Sequence, residues 1–174
     1  MRAALDKRQF GPWALVTGAS SGIGKEFTRQ IAATGINVVL VARRESLLSD
    51  LGRGLPQNLD VKYRVIAMDL SQEGFIDALA ENMNDLDIGL VVSNAGTGNP
   101  GEFLKLDRRL LEATLRLNTM AHLDIAHHFG RKLAQLLPLH FTPLSRVGAF
   151  STGFSGLTFI RGTGSLSRRF RRQY

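Results

Sequence analysis

Residues 17–24, Thr17-Gly18-Ala19-Ser20-Ser21-Gly22-Ile23-Gly24, follow the apolar run Trp13-Ala14-Leu15-Val16 and open an amphipathic segment. Strand, glycine-rich turn and helix in that order are what a nucleotide phosphate site requires. Glycines let the backbone approach a pyrophosphate, and the unpaired N–H groups at a helix start face the anion. The segment places Ile23, Phe27 and Ile31 at i, i+4 and i+8, which predicts a buried helix face, and it stops at Gly35, a natural residue just past a helix end. The spacing is Gly-x-x-x-Gly-x-Gly, not Gly-x-Gly-x-x-Gly, so an ordinary strand-to-helix turn stands as the alternative until the later strand ends are read.

A second strand, Asn37-Val38-Val39-Leu40-Val41-Ala42, leads into Arg43-Arg44. An acid at Arg43 would suit the ribose 2′-hydroxyl of NAD, whereas a basic residue suits the 2′-phosphate of NADP. A solvated arginine pair at a helix start is the plainer reading. Asp69-Leu70 ends a third strand over residues 61–68, Asn94-Ala95-Gly96 ends a fourth over 88–92, and Asn118 falls in a long helical segment over 107–137. Singly, Asp69-Leu70-Ser71 also suits a helix start and Asn94-Ala95-Gly96 a plain turn. Their joint order and spacing favour one shared site.

With Thr17-Gly18-x-x-x-Gly22-x-Gly24 as its cofactor motif, this set resembles the short-chain dehydrogenase/reductase family over about residues 10–135. The resemblance implies an α/β fold: a Rossmann-type doubly wound parallel sheet with helices on both faces, incomplete at the C-terminal side. Residues 1–137 would be the NAD(P)-binding domain, and 138–174 a degenerate fifth strand with a basic, Gly/Ser-rich tail. It further implies cofactor binding by Thr17, Gly18, Ser20, Ser21, Gly22, Ile23, Gly24, Arg43, Arg44, Asp69 and Leu70, with Asp69 accepting from the adenine amino group. Asn94, Ala95 and Gly96 would support the adenosine side of the cofactor and the central sheet, and Asn118 would hold a water in the proton relay. NADP is expected over NAD, a small-molecule carbonyl or alcohol is the implied substrate, and relatives often pair into homo-oligomers through their long helices.

In the family, hydride moves to or from a nicotinamide. A Tyr, its pKa lowered by a Lys four residues later and by the cofactor's charge, moves the proton, and a Ser hydroxyl orients the carbonyl. This sequence departs from that pattern. Val147-Gly148-Ala149-Phe150-Ser151-Thr152 looks like the fifth strand ending in the family's Ser-Ser pair, which makes Thr152 or Ser151 the candidate hydroxyl. Counting on from Thr152 puts Ser165 where the Tyr belongs and Arg169 where the Lys belongs. A Ser hydroxyl is a far weaker acid than a phenol, so no ordinary reductase turnover is expected. The only Tyr beyond Tyr63 is Tyr174, the last residue.

Charge marks the same boundary. Residues 1–124 hold 14 Lys and Arg against 15 Asp and Glu, whereas residues 125–174 hold 8 Lys and Arg and no acid, so the whole net charge of +7 comes from the last third of the chain. Family domains run to about 250 residues, so about a third of the fold is expected to be missing. A truncated or frame-altered member and a natural divergent tail both fit, and the end beyond Pro138 is expected to be poorly ordered or loosely docked. The run Arg168-Arg169-Phe170-Arg171-Arg172 concentrates positive potential, but no nucleic-acid-binding module surrounds it, and a solvated tail is the expectation.

No stretch approaches the ~18 apolar residues of a membrane span, residues 1–11 lack a signal-peptide core, and there is no Cys. These features are compatible with a reducing cytoplasm, the expected location, and with no membrane partner. His122, His127 and His128 read as helix-surface or partly packed side chains, so no metal site is expected. Asp77, Glu81 and Asp85 read as a solvated like-charged face.

Overall fold

A computed structural model describes residues 5, 7–134, 139–143 and 157–161. Four short apolar runs become strands: β1 Trp13–Thr17, β2 Asn37–Ala42, β3 Tyr63–Ala67 and β4 Ile88–Ser93. Such runs are too short for a helix and are bounded by polar turns, as strands covered on both faces require. They lie parallel in the order β3-β2-β1-β4. The helices are α1 Lys7–Phe10, α2 Gly22–Ala32, α3 Glu45–Arg53, α4 Phe75–Glu81, α5 Arg108–Leu115 and α6 Ala121–Ala134. A π-helical turn, Arg116–Met120, joins α5 to α6.

Side chains alternate along each strand, so β1 serves two cores. Leu15, with Val39, Val41 and Val91, packs against Phe75 and Leu79 of α4 and Ile125, Phe129 and Leu133 of α6. Ala14 and Val16, with Val38, Leu40, Leu90 and Val92, pack against Phe10 of α1, Ile31 of α2 and Leu48 and Leu51 of α3. Burying each large apolar side chain contributes roughly 1.5–3 kcal/mol, which is why helices on both faces are needed to hold a parallel sheet. The sheet is therefore doubly wound, as expected.

Two features differ from the expectations. Ile23 is 51% exposed; α2 instead buries Gly24, Thr28, Ile31 and Ala32. The helix begins at Gly22, so Ile23 stands in the first turn, beyond the strand ends, and Gly24 makes the close contact in its place. Beyond β4 the sheet turns antiparallel. β6 Leu157–Arg161 pairs with β4, from Leu90↔Ile160 to Ser93↔Leu157, and β5 Leu139–Pro143 pairs with β6. Thr158, Phe159 and Ile160 are strand formers, and their pairing covers an edge of β4 that would otherwise be open. The expected strand over 147–152, with the candidates Ser151 and Thr152, lies outside the described residues, as do Ser165 and Arg169.

Candidate functional site

The chain runs outward from β1 through α2, β2 and α3 to β3, then recrosses to β4 on the other side of β1. The strand order reverses between β1 and β4, the point at which sheets of this kind form a crevice outside their C-terminal strand ends and bind ligands. The candidate cofactor residues of the turn over residues 17–24, Arg43, Arg44, Asp69, Leu70 and Asn94 to Gly96 stand at or just past the C-terminal ends of β1, β2, β3 and β4, and Asn118 stands on the helical run beside them.

The phosphate-type turn is built by crowding on one side and openness on the other. A Cβ on Gly24 would lie 2.3 Å from the Gly18 carbonyl oxygen and 2.6 Å from Asn94 Nδ2, so only glycine lets α2 start this close to the end of β1. Gly22 is the opposite case: its φ is +54°, in the left-handed region, and no described atom lies within 4 Å of where its Cβ would be. Ser21 precedes α2 in an extended conformation and its side chain makes no capping bond, so the helix start faces the crevice uncapped. Ser20, Ser21 and Ile23 surround that opening, Ser21 and Ile23 exposed.

Thr17 and Asn94 lock β1 to β4. Thr17 Oγ1 accepts the Asn94 N–H at 2.9 Å and the Ala95 N–H at 3.1 Å, while Asn94 Nδ2 donates to the Thr17 carbonyl at 3.2 Å. All three residues are buried, where unsatisfied polar groups would cost about 1–3 kcal/mol each. Gly96 is exposed beside them, and Asn118 Oδ1 lies 3.4 Å from the point its Cβ would take. Asn118, inside the π-helical turn, binds Thr97 with both ends of its amide: Oδ1 accepts the Thr97 N–H at 2.9 Å and Nδ2 donates to the Thr97 carbonyl at 2.7 Å.

On the β2 and β3 side, Arg43 and Arg44 are exposed, and Arg44 reaches back 24 residues to donate to Ser20 Oγ at 3.4 Å. Burial alone would raise the Asp69 carboxyl's pKa. Hydrogen bonds from the Ser71 N–H (3.0 Å), the Ser71 hydroxyl (2.8 Å) and Gln72 (3.4 Å), together with the charge of Arg43, outweigh that and hold it below the ordinary carboxylate value. Asp69 is thus an ionised acceptor beside a guanidinium, and Leu70 is buried behind it.

This open edge fits a dinucleotide: an uncapped helix start and an unfilled space at Gly22, with cations and an ionised acceptor farther along. A cleft of about 180 Å³ beside it, between the turn over residues 70–75 and Arg116, Met120 and Asp124, is too small for one.

Sequence reasoning missed a buried polar pair under the site. His122 is 5% exposed, not on the helix surface, and its Nδ1 lies 2.6 Å from Ser93 Oγ. Its position four residues after Asn118 was the available signal, because it places both side chains on one helix face. Asp77, Glu81 and Asp85 are exposed, with Asp85 held by Arg64 at 2.6 and 2.7 Å. No group of three or more His, Asp or Glu among the described residues could hold a metal ion, and no described helix is long and apolar enough to cross a membrane.

Comparisons with known proteins agree with this geometry. Residues 12–135 match the short chain dehydrogenase family. A very-long-chain 3-oxoacyl-CoA reductase of Neurospora crassa is 40% identical over 130 residues, which is 72% of this chain and 39% of that protein. A solved structure from work on 7beta-hydroxysteroid dehydrogenase stereoselectivity superposes with a TM-score of 0.70 at 32% identity, covering 74% of this chain and 51% of that one. A short-chain dehydrogenase from Sphingobium yanoikuyae, solved in complex with NADPH, gives a TM-score of 0.66 at 30% identity over 71% of this chain and 49% of its own. The chain thus spans about half the length of its solved relatives or less, and that half carries the glycine turn, the parallel sheet and the reversal between β1 and β4: it belongs to the short-chain dehydrogenase family of oxidoreductases.

Proposed function

We propose that this chain is the NADP-binding part of an oxidoreductase that moves hydride between the cofactor and a small carbonyl or alcohol compound. The observation that carries the reading is the turn over residues 18–24, where Gly22 faces open space at an uncapped helix start while Gly24 seats that helix against β1. Thr17, Gly18, Ser20, Ser21, Gly22, Ile23 and Gly24 would hold the pyrophosphate. Arg43 and Arg44 would take the 2′-phosphate, which favours NADP over NAD. Asp69 would accept from the adenine amino group beside Leu70, and Asn94, Ala95 and Gly96 would back the adenosine. When bound, the nicotinamide supplies the carbon that gives or takes hydride.

Asn118, which holds the loop after β4 through Thr97, would hold a water in the proton relay. The names of the relatives, a 3-oxoacyl-CoA reductase and a 7beta-hydroxysteroid dehydrogenase, support a carbonyl on a bulky apolar scaffold as the substrate class. Exposed Leu115 and Leu123 on the long helical run support pairing with a second copy through it.

A second reading rests on a specific absence. The tyrosines are Tyr63 and Tyr174, and Tyr63 is followed four residues later by Ala67 in place of Lys. By this reading the chain binds NADP(H) without turning substrate over, as a non-catalytic binding protein or a fragment with no function of its own. Titration with NADPH, followed by fluorescence, and a ketone-reduction screen separate the readings. Saturable binding without turnover supports the second, turnover supports the first, and absence of binding overturns the cofactor site itself.

A further inference from the structure

Ser93 and His122 are the residues the cofactor reading leaves without a role, and they are 1% and 5% exposed. Their burial rules out a nucleophile-and-base pair, because no substrate reaches them. A buried hydroxyl and imidazole are also a poor choice for packing alone, since each must find a partner or lose its hydration uncompensated. Here the partners are specific. Ser93 Oγ lies 2.6 Å from His122 Nδ1, and the imidazole also hydrogen-bonds the Ala95 backbone.

The bonds fall in a pattern. His122 grips residues 93 and 95, and Asn118, one helical turn earlier, grips residue 97 through both ends of its amide. Between those anchors, Asn94 and Ala95 are bound to Thr17, and Ala95 Cα packs within 2.9 Å of the position a Gly18 Cβ would take. A continuous set of directional bonds therefore runs from the long helix, through the end of β4, to the phosphate-type turn after β1. Apolar contacts would permit the β4 end to slide, whereas these bonds hold it in one register.

We infer that His122 and Ser93 are positioning residues for the cofactor, fixing the turn over residues 93–95 against Thr17 and Gly18 so that the crevice keeps its shape. The inference rests on the cofactor reading above. Neither residue touches the cofactor; both act through Asn94 and Ala95.

The test is NADPH affinity, by fluorescence titration at a temperature where circular dichroism shows each protein folded, for the parent, His122→Phe, His122→Asn and Ser93→Ala. Losing the hydrogen bonds of His122 should weaken NADPH binding about tenfold in His122→Phe. His122→Asn, which keeps a polar group near the place of Nδ1, should stay within about threefold of the parent. A role in packing alone does not predict that rescue. Parental affinity in His122→Phe, or equal weakness in the Phe and Asn variants, overturns the inference. If His122→Phe does not fold, Ser93→Ala decides: weaker binding supports the inference and parental binding overturns it. A parent that binds no NADPH overturns the cofactor reading itself, an outcome distinct from any difference among variants.

Discussion

Replacing Gly24 with Ala puts one methyl group where the structure leaves no room. The new carbon would stand 2.3 Å from the Gly18 carbonyl oxygen, whereas ordinary contact begins at 3.4 Å, so the start of α2 must retreat by about 1 Å. The obstacle is backbone, so no rotamer change relieves it. The buried residues Thr28, Ile31 and Ala32 of α2 must follow. Overpacking of this kind costs about 1–3 kcal/mol, and the better helix propensity of Ala returns at most about 1 kcal/mol. A net loss of roughly 1–2 kcal/mol lowers the melting midpoint of a chain this size by about 2–8 °C. The same retreat carries the α2 N–H groups away from the crevice, so NADPH affinity should fall at least about tenfold. Differential scanning calorimetry and fluorescence titration read the two effects together. A Gly24→Ala protein that melts and binds as the parent does would refute the claim that close seating of α2 builds the site.

Gly22→Val tests the open side of the same turn: a branched residue at a φ of +54° is strained by about 1–2 kcal/mol and projects into the space proposed for phosphate, so NADPH binding should vanish while circular dichroism stays near the parent's. Arg43→Asp should reverse the preference for NADPH over NADH, since one charge-assisted contact is worth about 1.5–3 kcal/mol, or ten- to a hundredfold; an unchanged preference in paired titrations would remove Arg43 from the site. Burial lowers the pKa of His122, with the Ala95 hydrogen bond opposing it, so the unfolded chain takes up a proton near 6.5 while the folded ring stays neutral. The ring's contribution to stability is therefore full above pH 6.5 and is lost as pH falls from there through the folded pKa. Burial also lowers His128, with the same sign, so the comparison that isolates His122 is urea unfolding of the parent and of His122→Asn across that range, with a shallower slope in the variant.

What could be read along the chain was local. The glycine turn, the four apolar runs and the polar residues at their ends follow from spacing and period, because strand and turn geometry act over a few residues. Ile23 was misassigned because a helical period does not reveal that the first turn of α2 projects past the sheet. The contacts of Ser93 with His122 and of Arg44 with Ser20 join residues 29 and 24 positions apart, and only the closed sheet brings them together. The antiparallel pairing of β6 with β4 was hidden for a related reason: a strand's own sequence does not state the direction of its neighbour.

The π-helical turn at Arg116–Met120 holds one residue more than an α-helical turn, so the chain tolerates the loss of one residue there better than within α5 or α6. Each residue of an α-helix advances about 100° around the axis, so deleting one residue within α6 would rotate all that follows by that angle, whereas a deletion within the i→i+5 turn leaves an ordinary i→i+4 turn and keeps α6 in place. A deletion between His122 and Phe129 would swing Phe129 and Leu133 out of the core while leaving His122 on Ser93. Substitutions along this helix act one side chain at a time, whereas a change in length beyond the turn moves every core residue that follows it.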